Sequence, residues 1–226
     1  PDGILFVGDA MAAKIYAIQT GDKAGDAADV QQNVDDLGGK IAKQLGSAKA
    51  EIADLAVNPL SGHLFVSVVT DKGPRLLSLD GSGAIKELDL SKVTAAGMDI
   101  PNAPEDKVTG EGRRARNNRS SSVTDLAFVE GKLLVSGMAG GTSTVRSFTF
   151  PFNEKVEATA LEIYHGAHGQ LESYAPIRTF VPFVINGEPS VLAGFVCTPL
   201  VKFPVKAIGS AEKTRGTTVA ELGNRN

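Results

Sequence analysis

Between positions 125 and 150 the chain reads DLAFVEGKLLVSGMAGGTSTVRSFTF. Residues 126–129 are an apolar run, Glu130-Gly131-Lys132 is a polar turn, and 133–136 alternate. Residues 138–143 are a glycine-rich link, and 145–150 alternate again. Short glycine-containing links between such runs predict an antiparallel meander. The phrase returns along the chain. Residues 3–9 and 14–18 form one pair. A second copy has 52–57, a turn at 58–62, then 64–69, 75–79 and, after Gly81-Ser82-Gly83, a fourth run at 84–90. Another has 177–185, a turn at 186–189, 191–197 and 200–205.

The second strands begin near Leu5, Leu64, Leu133 and Val191, a repeat of about sixty residues with insertions. The third strand follows the second at a similar offset in every copy. A four-stranded meander cannot bury both faces by itself, and radial stacking of copies is one stable solution. The repeat resembles the β-propellers of the broad NHL, SMP-30 and YVTN-like type, in which a strand, a turn such as Pro1-Asp2-Gly3, a strand, a short link and a strand mark successive blades. That resemblance implies an all-β propeller of four-stranded antiparallel blades, about four of them visible. It implies little about activity, because one fold hosts many functions.

The repeat carries further expectations. The chain opens inside a blade and closes where another innermost strand would begin, so residues 1–226 read as a single incomplete domain of a larger ring. Residues 55–57, 126–129 and 179–184 read as equivalent innermost strands, buried from both sides because they lack alternation. The insertion at 29–45 is expected to hold the outer strand of the first blade and then a helix from about Lys40 to Leu45. Ile41, Ala42 and Leu45 would share one face of that helix, and Gly38-Gly39 would limit its length. The insertion at 94–122, with Pro101, Pro104 and mixed charge, reads as a mobile surface loop.

Composition fits this picture. The 226 residues are 42% hydrophobic and 22% charged, enough for a sizeable core, and 25 glycines with 11 prolines suit a turn-rich β protein. A net charge of −3 argues against a general nucleic-acid surface. No apolar run is long enough to span a bilayer. The single cysteine, Cys197, permits no internal disulfide framework, so compartment is not fixed by cysteine usage. A periplasmic or secreted location follows only by analogy with bacterial propellers.

Candidate chemistry gathers in loops. The strand order places Arg113, Arg114, Arg116, Arg119 and Arg225 on one loop face with Lys72, Arg75, His165, His168 and Cys197. Such a face can steer an anionic partner, although a charge run in a loop is more simply a solvated one. In Tyr164-His-Gly-Ala-His-Gly169 two imidazoles sit in a glycine-rich turn. They are candidates for a divalent metal with Cys197 as third ligand, against the plainer reading of turn histidines bonded to backbone. His63, after a turn at the opposite end, reads as structural. Cys197 ends an apolar strand and reads first as a packed residue. Asp54 and Asp125 occupy one repeat position, and Asn224 and Asn226 lie near its next occurrence. The resemblance to calcium-dependent SMP-30-type hydrolases implies metal ligands at such channel-mouth positions, whereas an Asp there also caps its own turn. No dinucleotide fingerprint, P-loop, nucleophile elbow or haem-attachment motif is present, and the glycines at 137–141 link strands without opening a helix.

The leading functional reading is a non-catalytic binding or scaffold module. Its arginine-containing face would receive another protein chain, or the remainder of the propeller would complete it. The alternatives are a metal-assisted hydrolase or isomerase working at the channel mouth, and a docking subunit for a redox partner. Whether the chain is an enzyme is left open.

Overall fold

The paired runs become hydrogen-bonded ladders. The computed structural model describes residues 3–27, 33–112, 115–153, 155–166, 168–196 and 199–221. β1 (Ile4–Asp9) and β2 (Lys14–Gln19) come first, followed by α1 (Leu37–Leu45). β3 (Ala50–Val57), β4 (Leu64–Thr70), β5 (Gly73–Leu79) and β6 (Ile85–Glu87) form one sheet in that order. β7 (Ala95–Asp99) then returns to lie beside β2, completing a sheet of order β1-β2-β7. The two-residue strands β8 (Val108–Thr109) and β9 (Arg116–Asn117) pair, and a 3-10 turn follows at Asn118–Ser121.

β10 (Asp125–Val129), β11 (Lys132–Ala139), β12 (Thr142–Thr149), β13 (Val156–His165) and β14 (Gln170–Glu172) make the next sheet in sequence order. β15 (Ile177–Ile185), β16 (Glu188–Phe195) and β17 (Pro199–Pro204) begin the last. β18 (Lys213–Arg215) runs parallel to β13, and β19 (Thr217–Glu221) closes the last sheet against β17. The fold is therefore all-β, four antiparallel sheets of propeller-blade type. The chain divides into two compact units, Pro1–Leu5 with Ile18–Ala95 and Phe6–Ala17 with Ala96–Asn226.

A short sequence phrase sets the register. Leu64-Phe65-Val66-Ser67 in β4 recurs as Leu133-Leu134-Val135-Ser136 in β11. Asp54 pairs with Ser67 as Asp125 pairs with Ser136, and Thr179 pairs with Gly194 at the same place in the last sheet. The fourth residue is small in each case, including Gly8 of β1. A side chain at Gly8 would meet Val123 Cγ1 at 2.7 Å. Ser67 and Ser136 are short enough to donate back across the ladder to the carbonyls of Asp54 and Asp125.

In the larger unit, β10 is held between two apolar clusters. Leu126 packs with Ala13, Ile15, Leu133, Val135 and Phe148, and Phe128 stacks on Phe6 with centroids 5.5 Å apart. On its other face Ala127 and Val129 pack against the cluster of Ile177, Phe180, Val191 and Phe203. Asp125 ties the sheets at their shared edge: Thr179 Oγ1 and the Phe180 amide donate to its Oδ2 at 2.8 and 2.7 Å.

Several expectations need correction. The strand beside β2 is β7, so the outer strand of the first sheet lies at 95–99, and the described residues 33–45 hold α1 without a strand; residues 28–32 fall outside the described residues. The link expected at 138–143 shrinks to Gly140-Gly141, because Met138 and Ser143 still pair across the ladder. The insertion at 94–122 contributes three short strands and the buried Ile100. Two of the three innermost strands are not buried on both faces. Leu55 and Val57 on β3, and Val181, Phe183 and Val184 on β15, are exposed. Only β10 has a covering sheet on each side, whereas α1 packs over β4 and β5 and leaves most of β3 outward.

α1 starts earlier than the sequence suggests, and its first turn includes both glycines. Asp36, at φ 49°, accepts from the Gly39 amide at 3.1 Å, and a Cβ at Gly39 would collide with that carboxylate. The cap therefore requires the residue that weakens the helix interior. Gly46 ends the helix at φ 58°, and Lys72 Nζ donates to the Gly46 carbonyl at 2.6 Å. Asp36→Ala is expected to destabilise by about 1 kcal/mol, read as a lower urea midpoint.

In the smaller unit Asp22 holds the turn before β4. Its carboxylate accepts from Asn58 Nδ2 and Ser61 Oγ at 2.7 Å each and lies 3.0 Å from His63 Nδ1. This agrees with a structural His63. Burial alone would raise the Asp22 pKa, but the bonds from Ser61, Asn58 and His63 hold it below 3.8. The carboxylate is thus more acidic folded than unfolded. Its stabilisation is present above the ordinary aspartate value and is lost as pH falls below it. Asp22→Ala should cost about 2 kcal/mol near neutrality and progressively less in acid, measured by urea unfolding across that range.

Candidate metal centre

β13 and β14 build the site. Along β13, Thr159, Leu161, Ile163 and His165 alternate as buried residues, so His165 ends an apolar stripe with an imidazole. The Gly169 amide donates to the His165 carbonyl at 2.9 Å, and Gly169 takes φ 66° before β14. β14 then pairs Gln170 with His165 and Glu172 with Ile163. Directly paired residues project to the same face, so Glu172 enters the buried side next to His165.

The carboxylate collects the surrounding donors. His165 Nδ1 lies 2.9 Å from Glu172 Oε2, and His168 Nδ1 lies 2.5 Å from Oε1. Gln170 Nε2 donates to Oε1 at 3.2 Å, and Tyr174 adds a further hydrogen bond. The imidazole centroids are 4.0 Å apart. The Glu172 side chain is fully buried and that of His165 nearly so, whereas His168 is half-exposed. Burial pushes the Glu172 pKa up, but the bonds from His168, Tyr174, His165 and Gln170 outweigh it and hold the group at about 2. An ionised carboxylate only accepts, so both rings present Nδ1–H to it. The Gly166 amide donates to Glu221 Oε1 at 3.3 Å, which brings the end of β19 against the same hairpin.

Of the candidates read from sequence, His165 and His168 are brought together. Cys197, Arg113, Arg114, Arg225, Asn224 and Asn226 lie outside the described residues. Glu172 was missed, though its place four residues after His168 beyond a glycine reversal returns it to His165. Arg119 donates to the carbonyls of Met11, Ala12 and Pro104, which fastens loop segments. Arg116 is exposed in β9. Arg75 pairs with Glu87, and Lys72 caps α1. Asp54 Oδ1 accepts from the Leu55 amide and Asp125 Oδ1 from the Leu126 amide, each within its own strand.

No family model and no curated protein matches the sequence. Among solved structures the chain is similar to Drosophila Plexin A in complex with Semaphorin 1b, at 11% identity and a TM-score of 0.31. The likeness covers 92% of this chain and 51% of that one, so the chain spans about half the length of that protein. The fold assignment rests on strand order and register. No described helix is long and apolar enough to cross a membrane.

Proposed function

We propose that the chain is a non-catalytic binding module of propeller type, which receives a further blade-type sheet on the uncovered face of β15. The observation that supports this reading is the contrast between β10 and β15. By register, Val181 and Phe183 of β15 stand where Ala127 and Val129 stand in β10. Ala127 and Val129 pack on the core of the following sheet. Val181 is 50% exposed and Phe183 63%. Fully burying a side chain of this size contributes about 1.5–3 kcal/mol, so a covering sheet gains appreciably from the pair. The occupant is a sheet because the same two positions are covered by one in β10, within the same unit.

In the purified chain the available sheet is that of a second copy. The chain is expected to associate with rising concentration in sedimentation and to bind an apolar dye. Val181→Glu with Phe183→Glu should abolish both while matching the thermal midpoint of the dilute, monomeric wild type, since neither side chain is buried in the monomer. A monomeric wild type that takes up no dye would overturn the reading. So would a double variant that unfolds early.

A further inference from the structure

We propose that His165, His168 and Glu172 form a binding site for one divalent transition-metal ion of the zinc class, with an open coordination position on the His168 side. The three side chains supply two nitrogen ligands and one oxygen ligand, and their ligand atoms all lie within 4.8 Å of one another. This donor set is that of His2Glu zinc sites. It is too poor in oxygen for calcium, which takes six to eight oxygen ligands. Imidazole nitrogens favour zinc, copper, nickel or iron over magnesium.

The arrangement suits an ion replacing shared protons. Both Nδ1 atoms aim at the Glu172 carboxylate, at 2.9 and 2.5 Å. Zinc holds nitrogen and oxygen ligands at about 2.0–2.2 Å, so its ligands stand somewhat farther apart than hydrogen-bonded atoms. The cluster must therefore open modestly, and the half-exposed His168 side chain is the ligand placed to shift. His165 and Glu172 are fixed by the β13–β14 ladder, whereas His168 lies in the turn with half its side chain exposed. Gln170 and Tyr174 hold the carboxylate from outside the three ligands, the orienting role that partners of metal ligands play. With three protein ligands, a tetrahedral ion keeps its fourth position for water or a ligand atom from outside. The site does not depend on β15 or on what covers it.

The test uses zinc(II) and cobalt(II) with the chelator-treated chain near neutral pH. Calorimetry is expected to show one zinc per chain, and cobalt should give the intense visible absorption of a four-coordinate site. His168→Gln replaces the imidazole with an amide that can still donate to the buried Glu172, and its metal-free thermal midpoint is the baseline for the metal-induced shift. It removes a direct ligand, so it is expected to weaken zinc binding by more than the roughly 10–100-fold that a change outside the ligand shell costs. Zinc should raise the thermal midpoint of the wild type and leave that of His168→Gln unmoved. Absence of zinc heat and of the cobalt spectrum would overturn the proposal. Binding of equal strength in His168→Gln, or calcium binding in place of zinc, would do so as well.

Discussion

Arg146→Leu is expected to destabilise the larger unit by about 4 kcal/mol, although the substitution removes a buried charge. Arg146 is fully buried on β12, paired with Val135, and burial lowers its pKa from 12.5 to about 10. It remains a cation at neutral pH. Its partners are backbone carbonyls: Nε donates to Pro101 at 3.1 Å, one terminal nitrogen to Met138 at 2.9 Å and the other to Ser122 at 3.5 Å. Replacing a buried ion pair with apolar residues is often neutral, because both charges leave together. Here the carbonyls stay behind, and each acceptor left unsatisfied costs about 1–3 kcal/mol. The second sheet gives the comparison: Leu77 occupies the same register position opposite Val66 and is fully buried. The sheet itself therefore accepts leucine, and the loss belongs to the carbonyls of Pro101, Ser122 and Met138. Urea unfolding should show a lower midpoint with an unchanged slope, and Arg146→Lys should fall between. A loss below about 1 kcal/mol would mean that other donors reach those carbonyls.

The blade pattern was legible because it is written locally. Alternation, a small fourth residue and glycine turns fix β4 against β5 and β11 against β12, and both ladders form as the sequence suggests. Connectivity was less legible. Nothing local in Ala95-Ala96-Gly97-Met98-Asp99 distinguishes a strand from a loop, and β7 exists through its pairing with β2. Continuous apolar runs on the innermost strands were read as burial on both sides. The run states what the strand can pack against; whether a sheet lies there depends on the neighbours, which differ between β10 and β15.

The site was half legible for a similar reason. His165 and His168 stand close in sequence and announce themselves, but an H-x-x-H spacing in a turn does not name its partner. The partner is set by the β13–β14 register, and the apolar stripe of β13 is masked by Glu162 and Tyr164 on its more exposed face. The partners of individual arginines were not legible either. Arg119 and Arg146 are the opposite of a solvated charge run, since both direct their guanidinium donors at backbone carbonyls. Composition counts the charge without showing that it is spent inside the fold.

Gly137→Ala is expected to cost about 3 kcal/mol or more, the upper end for overpacking, because its obstacle is main chain. Gly137 lies within β11, opposite Thr144, where a glycine normally weakens a strand. The turn at Asn118–Ser121 is laid against this point. A Cβ at Gly137 would sit 2.1 Å from the Ser122 carbonyl oxygen and 3.0 Å from that of Ser121. Ser122 is pinned from two further directions: Arg146 donates to its carbonyl, and its own hydroxyl donates to the Ala10 carbonyl at 2.6 Å. The backbone cannot retreat without losing both bonds. Alanine at 137 should therefore expel the Ser122 carbonyl from Arg146, so the two substitutions disrupt one contact. In a double-mutant cycle, Gly137→Ala with Arg146→Leu is expected to cost clearly less than the sum of the two singles, as residues sharing a partner do. Urea midpoints of the four proteins supply the cycle. Additive losses would show that Gly137 and Arg146 support the turn independently, and a Gly137→Ala loss below about 1 kcal/mol would show that the turn can shift away from β11 at little cost.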